Sequence, residues 1–405
     1  MMTQNELLEE ILSFSKPWYI ESVEQFDDKV TIKLIYPRGT KFICPHCGKE
    51  NATFDSKWRE FRHLDWWQYK TMIKVKIPRI KCCQNKETVE IPWLRKGSKF
   101  TQMMETHILE MAKMGAVSKA AKILDITDTR IWRVVHYWVN KCRSQADFSA
   151  VCNAGIDETS KKGHNYITNF VDLDSRKIMY VANGKDSGTI GEFKRDFEWH
   201  KGTPDNIKNV TSDMSLAFES GIKKNFKNSK IIIDKFHVIK YFNDALNKTL
   251  RDDIKAGHDF KKSKYIWAKN KENLTEKQAE RFKTMNRQHS KTAKAYQMRI
   301  AMQEIYRLTD KKEAENELNK LVSWMKRSRN THMKKLAKTI LNHWENILNY
   351  FDNRLTNAIL EGINNIIQNI KHTARGFRNY DYFKTVIYLY CGAFVVAVGE
   401  VAPTK

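Results

Sequence analysis

The amino-acid sequence predicts a multidomain α/β protein whose central part is a mixed β-sheet. Residues 167–173 and 177–182 are two apolar runs that predict a hairpin. Residues 210–212 and 230–234 are shorter strand-like runs that alternate with segments of helical period. Paired strands followed by strands that alternate with helices are typical of a mixed sheet. A cysteine-rich beginning and a helix-rich second half complete the predicted architecture.

The composition predicts a polyanionic partner. The 405 residues include 71 Lys and Arg against 47 Asp and Glu, a net charge of +24. Such an excess attracts polyphosphates through counterion release and long-range steering. The longest apolar run, residues 391–398, is too short to span a bilayer. Seven cysteines, an odd number, and a start without an export signal argue against a disulfide framework, so we expect a cytoplasmic bacterial protein associated with the nucleoid, without a membrane partner.

Residues 1–98 are predicted to form a small module organised by cysteines. Cys44 and Cys47 stand in a Cys-x-x-Cys-Gly turn, which brings two thiolates to one zinc ion. Cys82 and Cys83 follow, but no further cysteine completes a second spaced pair. The fourth ligand stays open between both adjacent cysteines together, His46, His63 and Glu87. A degenerate turn that no longer binds metal is the alternative.

Residues 99–148 are predicted to be helical and to contain a helix-turn-helix. A short helix from Ser118, a turn at residues 125–127 and a longer helix reaching Asn140 follow one another. In this arrangement the second helix reads the major groove of DNA. Its exposed side would present Arg130, Arg133 and His136. An ordinary helical hairpin has the same periodicity, and the basic context favours DNA binding over it.

Three acidic residues stand in settings that suit metal-assisted phosphoryl transfer. Asp157 and Asp213 each end a strand-like apolar run, and Glu361 lies in a strongly amphipathic helical segment. Carboxylates from two strand ends and a late helix hold two divalent cations about 4 Å apart, which is the arrangement of a two-metal site. Oxygen ligands with open positions suit Mg²⁺. A single aspartate after a strand is usually a turn residue or a helix cap, so only the combination carries weight.

Three further residues are predicted to lie beside this site. Glu158 follows Asp157 directly. Asp234 ends an isoleucine-rich strand and competes for the place of the third carboxylate, as a metal ligand, a residue behind the ligands or a substrate-positioning group. His237 would orient a phosphate or pack against a strand.

Basic and aromatic residues outside these motifs suggest additional DNA contacts. Lys371, Arg375 and Arg378 follow the Glu361 segment and would clamp phosphates near it, unless they form a solvated charged face. Trp267 lies in the helix-rich segment and would stack on an unpaired base. A place in the core of that segment is at least as good an interpretation of this tryptophan.

Seven motifs in order resemble insertion-sequence transposases of the ISL-three type over essentially the whole chain. They are Cys44-Pro45-His46-Cys47-Gly48 with Cys82-Cys83, the helix-turn-helix, Gly155-Ile156-Asp157-Glu158, Ser212-Asp213-Met214-Ser215, Asp234-Lys235-Phe236-His237-Val238, Lys-Asn-x-Glu-Asn-Leu-Thr at residues 269–275, and Asn357-Ala358-x-x-Glu361-Gly362-x-Asn364 leading to Arg375-Gly376-Phe377-Arg378-Asn379. The resemblance implies a ribonuclease-H-like catalytic core with an all-helical insertion. It also implies an Asp-Asp-Glu triad at Asp157, Asp213 and Glu361, and a zinc-ribbon-like module and helix-turn-helix that read terminal inverted repeats.

These observations together predict a Mg²⁺-dependent DNA transposase. The catalytic core would comprise residues 149–245 and 351–405, and the insertion residues 246–350. Its partners would be the double-stranded terminal repeats and target DNA, and synapsis of two ends calls for a homodimer on DNA. Two Mg²⁺ ions per site are expected, with zinc in the cysteine module. A DNA-binding regulator or relic with an inactive core, and a structure-selective nuclease, are the alternatives.

Overall fold

Two β-sheets, each in a different part of the chain, organise the structure. The computed structural model describes residues 4–12, 14–163, 165–286 and 290–392. These residues group into two units, the first from Met1–Arg143 and His372–Tyr390 and the second mainly from Ser144–Lys371. Most of the apolar run at residues 391–398 lies outside the described residues. No helix in the described part of the chain is long and apolar enough to cross a membrane.

Unit 1 begins with a short helix and a six-stranded sheet. The elements are α1 (Gln4–Ile11), β1 (Tyr19–Phe26), β2 (Lys29–Ile35), β3 (Lys41–Ile43), β4 (Glu50–Arg62), β5 (Lys70–Cys82) and β6 (Asn85–Thr88). The strand order is β1-β2-β5-β4-β3, and β6 pairs with the last four residues of β5, residues 79–82. Alternate residues such as Ile32, Leu34, Ile73 and Val75 turn inward and are fully buried, so one face of the sheet forms the core of this module.

Four helices complete unit 1. They are α2 (Gln102–Met114), α3 (Val117–Leu124), α4 (Asp128–Ser144) and α16 (Tyr380–Cys391). Asp125 ends α3 in the left-handed region, with φ 49°, and the chain turns directly into α4. This short-helix, turn, long-helix arrangement confirms the predicted helix-turn-helix.

Unit 2 contains a five-stranded mixed sheet with helices beside it. Its elements are β7 (Asn153–Lys162), β8 (Asn165–Asp172), β9 (Lys177–Asn183), α5 (Ser187–Trp199), β10 (Asn209–Ser212), α6 (Leu216–Asn225) and β11 (Lys230–Ile233). The strand order is β11-β10-β7-β8-β9, in which β7, β8 and β9 are antiparallel neighbours and β10 and β11 are parallel to β7. The predicted hairpin and the predicted mixed sheet are confirmed.

Between β11 and the last helix of unit 2 the described residues form helices without strands. These helices are α7 (Lys235–Lys255), α8 (Lys264–Ala268), α9 (Glu276–Asn286), α10 (Lys291–Ile305), α11 (Lys311–Arg327), α12 (Thr331–Asn342), α13 (Trp344–Leu348) and α14 (Tyr350–Asn353). α15 (Ala358–Thr373) follows them and returns to β7. The sheet and the helical insertion share one continuous apolar core, so the insertion is an integral part of unit 2.

Candidate active site and metal centre

β7 holds Asp157 in the middle of the sheet. The strand continues to Lys162, so Asp157 lies within it and does not end it, contrary to the sequence expectation. Asp157 is 7% exposed, and its Oδ1 accepts a 2.8 Å hydrogen bond from the backbone amide of Glu158. Burial raises the pKa of Asp157 to about 6, and the charge of Asp213 acts in the same direction. This carboxylate therefore lies in a place where a nearby cation would stabilise its charged form.

β10 brings Asp213 to the same level of the sheet. β10 runs parallel to β7 with Thr211 opposite Gly155, and Asp213 follows the last strand residue, as predicted. Two residues beyond this pair, the register brings Asp213 level with Asp157. The backbone amide of Ser215 donates a 3.0 Å hydrogen bond to Asp213 Oδ1. The second carboxylate oxygen accepts no hydrogen bond from the described residues and is available to a ligand.

α15 carries Glu361 against the same strand because Gly155 has no side chain. A Cβ at Gly155 would lie 2.4 Å from Leu360 Cδ1 and 2.8 Å from Leu173 Cδ2. Only glycine lets the fully buried Leu360 approach β7 this closely. Glu361, the next residue, is partly exposed, and burial and the charge of Asp234 raise its pKa. No residue that the structure describes donates a hydrogen bond to its carboxylate.

One cavity joins the three carboxylates. It has a volume of about 560 Å³, and Asp157, Asp213 and Glu361 all line it. The three do not form a group whose oxygens all lie within 4.8 Å of one another; in the described part of the chain that criterion is met by four cysteines. The spacing therefore leaves more room than one ion with three ligands requires, and hard carboxylate oxygens with unused lone pairs fit divalent cations.

The residues predicted to lie beside the site occupy two different settings. Glu158 and His237 line the cavity, and His237 Nε2 lies 3.9 Å from Asp157 Oδ1. Asp234 is only 1% exposed and caps α7 by accepting the amide of Phe236 at 3.1 Å. Its other oxygen accepts the amide of Asn357 at 2.9 Å. Both oxygens of Asp234 thus accept hydrogen bonds from backbone amides, and these bonds connect the start of α7 to the start of α15. Because both oxygens are occupied in this way, the structure argues against Asp234 as the third carboxylate.

Several cavity residues were not identified from the sequence. Lys240, Tyr241 and Asp244 follow His237 on α7 at helical spacing, and they line the cavity. Asn364 lies three residues after Glu361 on α15, and its Nδ2 donates a 2.7 Å hydrogen bond to Asp157 Oδ2. Residues three, four or seven positions apart share one face of a helix. Counting in this way from His237 on α7 and from Glu361 on α15 identifies all four residues.

A second site lies in unit 1, where four cysteines converge. The Sγ atoms of Cys44, Cys47, Cys82 and Cys83 all lie within 4.8 Å of one another, with separations of 3.3 Å for Cys47–Cys82, 3.7 Å for Cys82–Cys83 and 4.0 Å for Cys44–Cys83. Tetrahedral zinc with bonds of about 2.3 Å places its sulfurs about 3.8 Å apart. The backbone amide of Lys49 and the neighbouring thiols lower the pKa of Cys47 to about 7, which favours the thiolate that a metal binds. The cluster therefore fits zinc.

The turn between β5 and β6 supplies the fourth ligand. Neighbouring residues of a regular strand point to opposite faces, so adjacent cysteines would normally not share a metal. Cys83 and the next residue, Gln84, have φ angles of 53° and 63° and form the two-residue loop of a tight hairpin. This left-handed backbone turns Cys83 toward the thiol of Cys82.

The other predicted zinc ligands have different partners. His63 is buried against Thr101, with its Nδ1 at 2.8 Å from the threonine hydroxyl. His46 lies 3.3 Å from the carboxylate of Glu87, in an ion pair if the imidazole is protonated. Neither His46, His63 nor Glu87 belongs to the cysteine cluster. The question that the sequence left open is answered in favour of the two adjacent cysteines.

The helix-turn-helix exposes two of its three predicted DNA-contacting residues. Arg130 and Arg133 are exposed on α4. His136 is instead half-buried, with its Nδ1 3.0 Å from the hydroxyl of Thr385 on α16. Burial lowers the pKa of His136. The structure places this histidine against α16, which covers part of it.

Trp267 and the basic residues after Glu361 differ in their exposure. Trp267 is fully buried, with its ring 5.2 Å from Phe282 and 5.7 Å from Tyr296, so the core interpretation replaces stacking on a base. The ammonium of Lys371 donates a 3.0 Å hydrogen bond to the backbone carbonyl of Ser160 on β7. Arg375 and Arg378 are exposed and follow in unit 1.

Comparison with known proteins assigns these parts to one family. A family model described as transposase, of the DDE type of family ISL3, matches residues 154–387. Models of the helix-turn-helix domain of transposase family ISL3 and of the zinc-finger of transposases IS204, IS1001, IS1096 and IS1165 match residues 89–139 and 40–84. The chain belongs to the ISL3 family of transposases. The ISL-three resemblance of its motifs is thereby confirmed.

Two relatives show how far the similarity of this transposase extends. The transposase for insertion sequence element IS1001 of Bordetella parapertussis is 24% identical, over 90% of this chain and 93% of that protein. The transposase for insertion sequence element IS1557 of Mycobacterium tuberculosis is 23% identical, over 93% of each chain. The matches extend over at least 90% of this chain, so the similarity is not confined to any one of the regions that the three family models cover.

Proposed function

We propose that this transposase cuts and joins DNA strands at the ends of an insertion sequence by a two-metal mechanism. The observation that carries the proposal is the shared cavity of Asp157, Asp213 and Glu361. The strand order β11-β10-β7-β8-β9, with three antiparallel and two parallel strands, supports a ribonuclease-H-like core interrupted by the helical insertion. The division at residues 98, 148, 245 and 350 remains our proposal for the domain boundaries.

The three carboxylates would hold two Mg²⁺ ions. Such ions activate an attacking oxygen and stabilise a leaving oxygen in an in-line displacement at phosphorus. Asp157, held by the amides of Glu158 and Asn364, supplies a fixed carboxylate. Asp213 and Glu361 each keep at least one oxygen without a hydrogen-bond donor among the described residues, which suits ligands that bind a cation directly.

The remaining cavity residues would position DNA. Lys240 is exposed and forms no ion pair with any residue that the structure describes, so its ammonium can meet a phosphate of the bound strand. His237 lies close enough to Asp157 to favour the charged form of that carboxylate. In this way the site combines acidic groups for cations with cationic groups for the substrate.

Recognition of the terminal inverted repeats would belong to unit 1. Arg130 and Arg133 are exposed on α4 and would reach the major groove, as residues of the second helix in a helix-turn-helix do. The zinc-binding module, Arg375 and Arg378 would add contacts to the phosphate backbone from unit 1, and Lys371 would add one from the end of unit 2. Synapsis of two element ends calls for a homodimer assembled on DNA in the bacterial cytoplasm.

The decisive experiment compares cleavage with binding. Asp157→Asn, Asp213→Asn and Glu361→Gln should each abolish Mg²⁺-dependent nicking and strand transfer on a labelled element end, a loss of at least about 10³-fold. Each variant should still shift the same duplex in a gel. Glu198→Gln, an exposed carboxylate paired with Lys194 on α5, is the matched control and should retain activity.

Three outcomes would contradict the proposal. Full strand transfer by any one of the three variants removes that residue from the triad. Binding of the element end by the wild-type protein without nicking indicates a regulator, and a preference for branched DNA over one defined end indicates a structure-selective nuclease.

A further inference from the structure

The amide of Asn364 connects the catalytic strand to the catalytic helix. Its Nδ2 donates to Asp157 Oδ2 at 2.7 Å, and its Oδ1 accepts from Asn169 Nδ2 at 3.0 Å. The hydroxyl of Thr159 also donates to Asn364 Oδ1. Asn169 Nδ2 lies 3.2 Å from the same hydroxyl oxygen and donates to it. The four side chains thus form one directed hydrogen-bond network.

The network fixes which end of the Asn364 amide faces Asp157. Thr159 is 4% exposed and Asn169 is 1% exposed, so water does not compete for these groups. A flipped Asn364 would place its NH₂ group against the NH₂ group of Asn169 and its oxygen against the carboxylate of Asp157. Both contacts are repulsive, and they would remove the hydrogen bonds that Asn364 now makes to the buried Asn169 and Asp157.

The network also fixes the carboxylate itself. Asp157 Oδ2 accepts from Asn364, and Oδ1 accepts from the amide of Glu158 at 2.8 Å. Two donors on different oxygens define the plane of the carboxylate and leave each oxygen a further lone pair. Residues behind the metal ligands commonly orient them in this way, and their loss weakens metal binding by about 10–100-fold.

We propose that Asn364 is a positioning residue that sets Asp157 for cation binding, and that the side chains of Thr159 and Asn169 act on Asp157 through their hydrogen bonds to Asn364. This inference rests on the proposed function, because it assigns Asp157 as a cation ligand. It adds a structural requirement to that function. Thr159 and Asn169 on the sheet determine which end of the Asn364 amide faces Asp157.

The test measures Mn²⁺ binding to the full-length protein without DNA, by electron paramagnetic resonance of the free ion. Asn364→Leu should weaken Mn²⁺ binding by about 10–100-fold. Thr159→Val removes the hydroxyl at nearly constant volume and should weaken Mn²⁺ binding less than Asn364→Leu does. Thr159→Ser keeps the hydroxyl and should bind Mn²⁺ like the wild type. Asn369→Leu, an exposed asparagine on the same helix outside the cavity, is the matched control and should bind Mn²⁺ like the wild type.

A double variant distinguishes the network from independent effects. Thr159→Val should change Mn²⁺ affinity very little when Asn364 is already leucine, because the hydrogen bond that links the hydroxyl to Asp157 through Asn364 is gone. Nicking by Asn364→Leu should need more Mn²⁺ for half-maximal rate and recover at saturating Mn²⁺. A variant that is merely misfolded would lose rate at every Mn²⁺ concentration and unfold at a lower temperature.

The outcomes separate this inference from the proposed function. If Asp157→Asn abolishes Mn²⁺ binding while Asn364→Leu leaves it unchanged, the positioning role is wrong and the metal site stands. Additive losses in the double variant would also overturn the network. If Asp157→Asn itself binds Mn²⁺ like the wild type, the proposed two-metal site fails and takes this inference with it.

Discussion

Three aspartates in similar sequence settings have different surroundings in the structure. Each of them follows strand residues: Ile156 precedes Asp157, Ile233 precedes Asp234, and Ser212 precedes Asp213. Asp213 gives one oxygen to a backbone amide, and Asp157 shares its oxygens between a backbone amide and the side chain of Asn364. Asp234 gives both oxygens to backbone amides and does not line the cavity. The number of backbone donors around each carboxylate therefore separates a helix cap from a candidate metal ligand.

Cys83 is the residue on which the zinc centre depends most directly. Cys83→Ser keeps the side-chain size and the left-handed backbone but replaces a thiolate that zinc prefers, so we expect bound zinc to fall well below one ion per chain. Zinc content of the purified protein, measured by mass spectrometry, checks this. Cys152→Ser, in unit 2 and outside the cluster, should keep its zinc. Wild-type zinc content in Cys83→Ser would mean that another group completes the site.

At the scale of elements, the approach of α15 to β7 brings Glu361 to the cavity that Asp157 and Asp213 line. The helix has apolar residues at helical spacing, and Leu360, Ile363, Ile367 and Ile370 are buried, so its amphipathic face packs against the protein interior. Gly155 sets how closely it can approach. Lys371 then ties the end of the helix to the carbonyl of Ser160 on the same strand. The position of Glu361 is thus determined by packing along the length of α15.

Gly155→Val tests this packing. The new side chain would begin 2.4 Å from Leu360 Cδ1, so α15 must shift, and we expect a loss of about 1–3 kcal/mol in the free energy of unfolding together with a large loss of nicking. Gly362→Ala on α15 is the control for the unfolding measurement, because a Cβ there meets no atom within 4 Å. Replacing that helical glycine should stabilise the protein by about 0.5–1 kcal/mol. Chemical denaturation measures both, and an unchanged midpoint in Gly155→Val would contradict the close approach.

At the scale of the whole molecule, a net charge of +24 accompanies a catalytic cavity that is acidic. The excess of basic residues attracts DNA over long distances, whereas the local acids would repel phosphate until cations bind. The chain passes from unit 1 to unit 2 after Arg143 and returns to unit 1 after Lys371. Within unit 1, the ring of Tyr382 on α16 stacks on Trp132 of α4 at 4.2 Å. The segment after the catalytic helix therefore helps to build the helix-turn-helix unit.

Salt dependence measures the contribution of α4 to DNA binding. The affinity for a DNA duplex should fall steeply with salt, and Arg133→Gln should reduce the slope of log K against log salt by about 1, as expected for one lost phosphate contact. Arg133 is exposed and has no ion-pair partner among the described residues. Arg307→Gln is the control, because Glu304 already neutralises that guanidinium at 2.8 Å. Fluorescence anisotropy gives both slopes, and equal slopes for Arg133→Gln and the wild type would remove Arg133 from the interface.

Local pattern was enough to identify the main elements and several of the residues that line the candidate site. The hairpin, the helix-turn-helix, the strand-free insertion and the types of metal ligand all follow from short-range periodicity and residue chemistry. β4 was missed, although it has 13 residues, because its charged and aromatic residues are exposed and give little apolar alternation. The helical spacing of Lys240, Tyr241 and Asp244 from His237 was also present in the sequence. The sequence alone does not show that this face of α7 lines the cavity beside the sheet.

By itself, the sequence determined which side chains can bind metal and which segments can be helix or strand, because those properties depend on residues a few positions apart. Tertiary structure alone decided that Asp157 lies within a strand, that Asp234 is a cap, that Trp267 and His136 are covered, and that Asn364 meets a carboxylate 207 positions away. Each of these depends on a distance between segments far apart in the chain. Such distances are set by how the buried faces of the helices and sheets pack together.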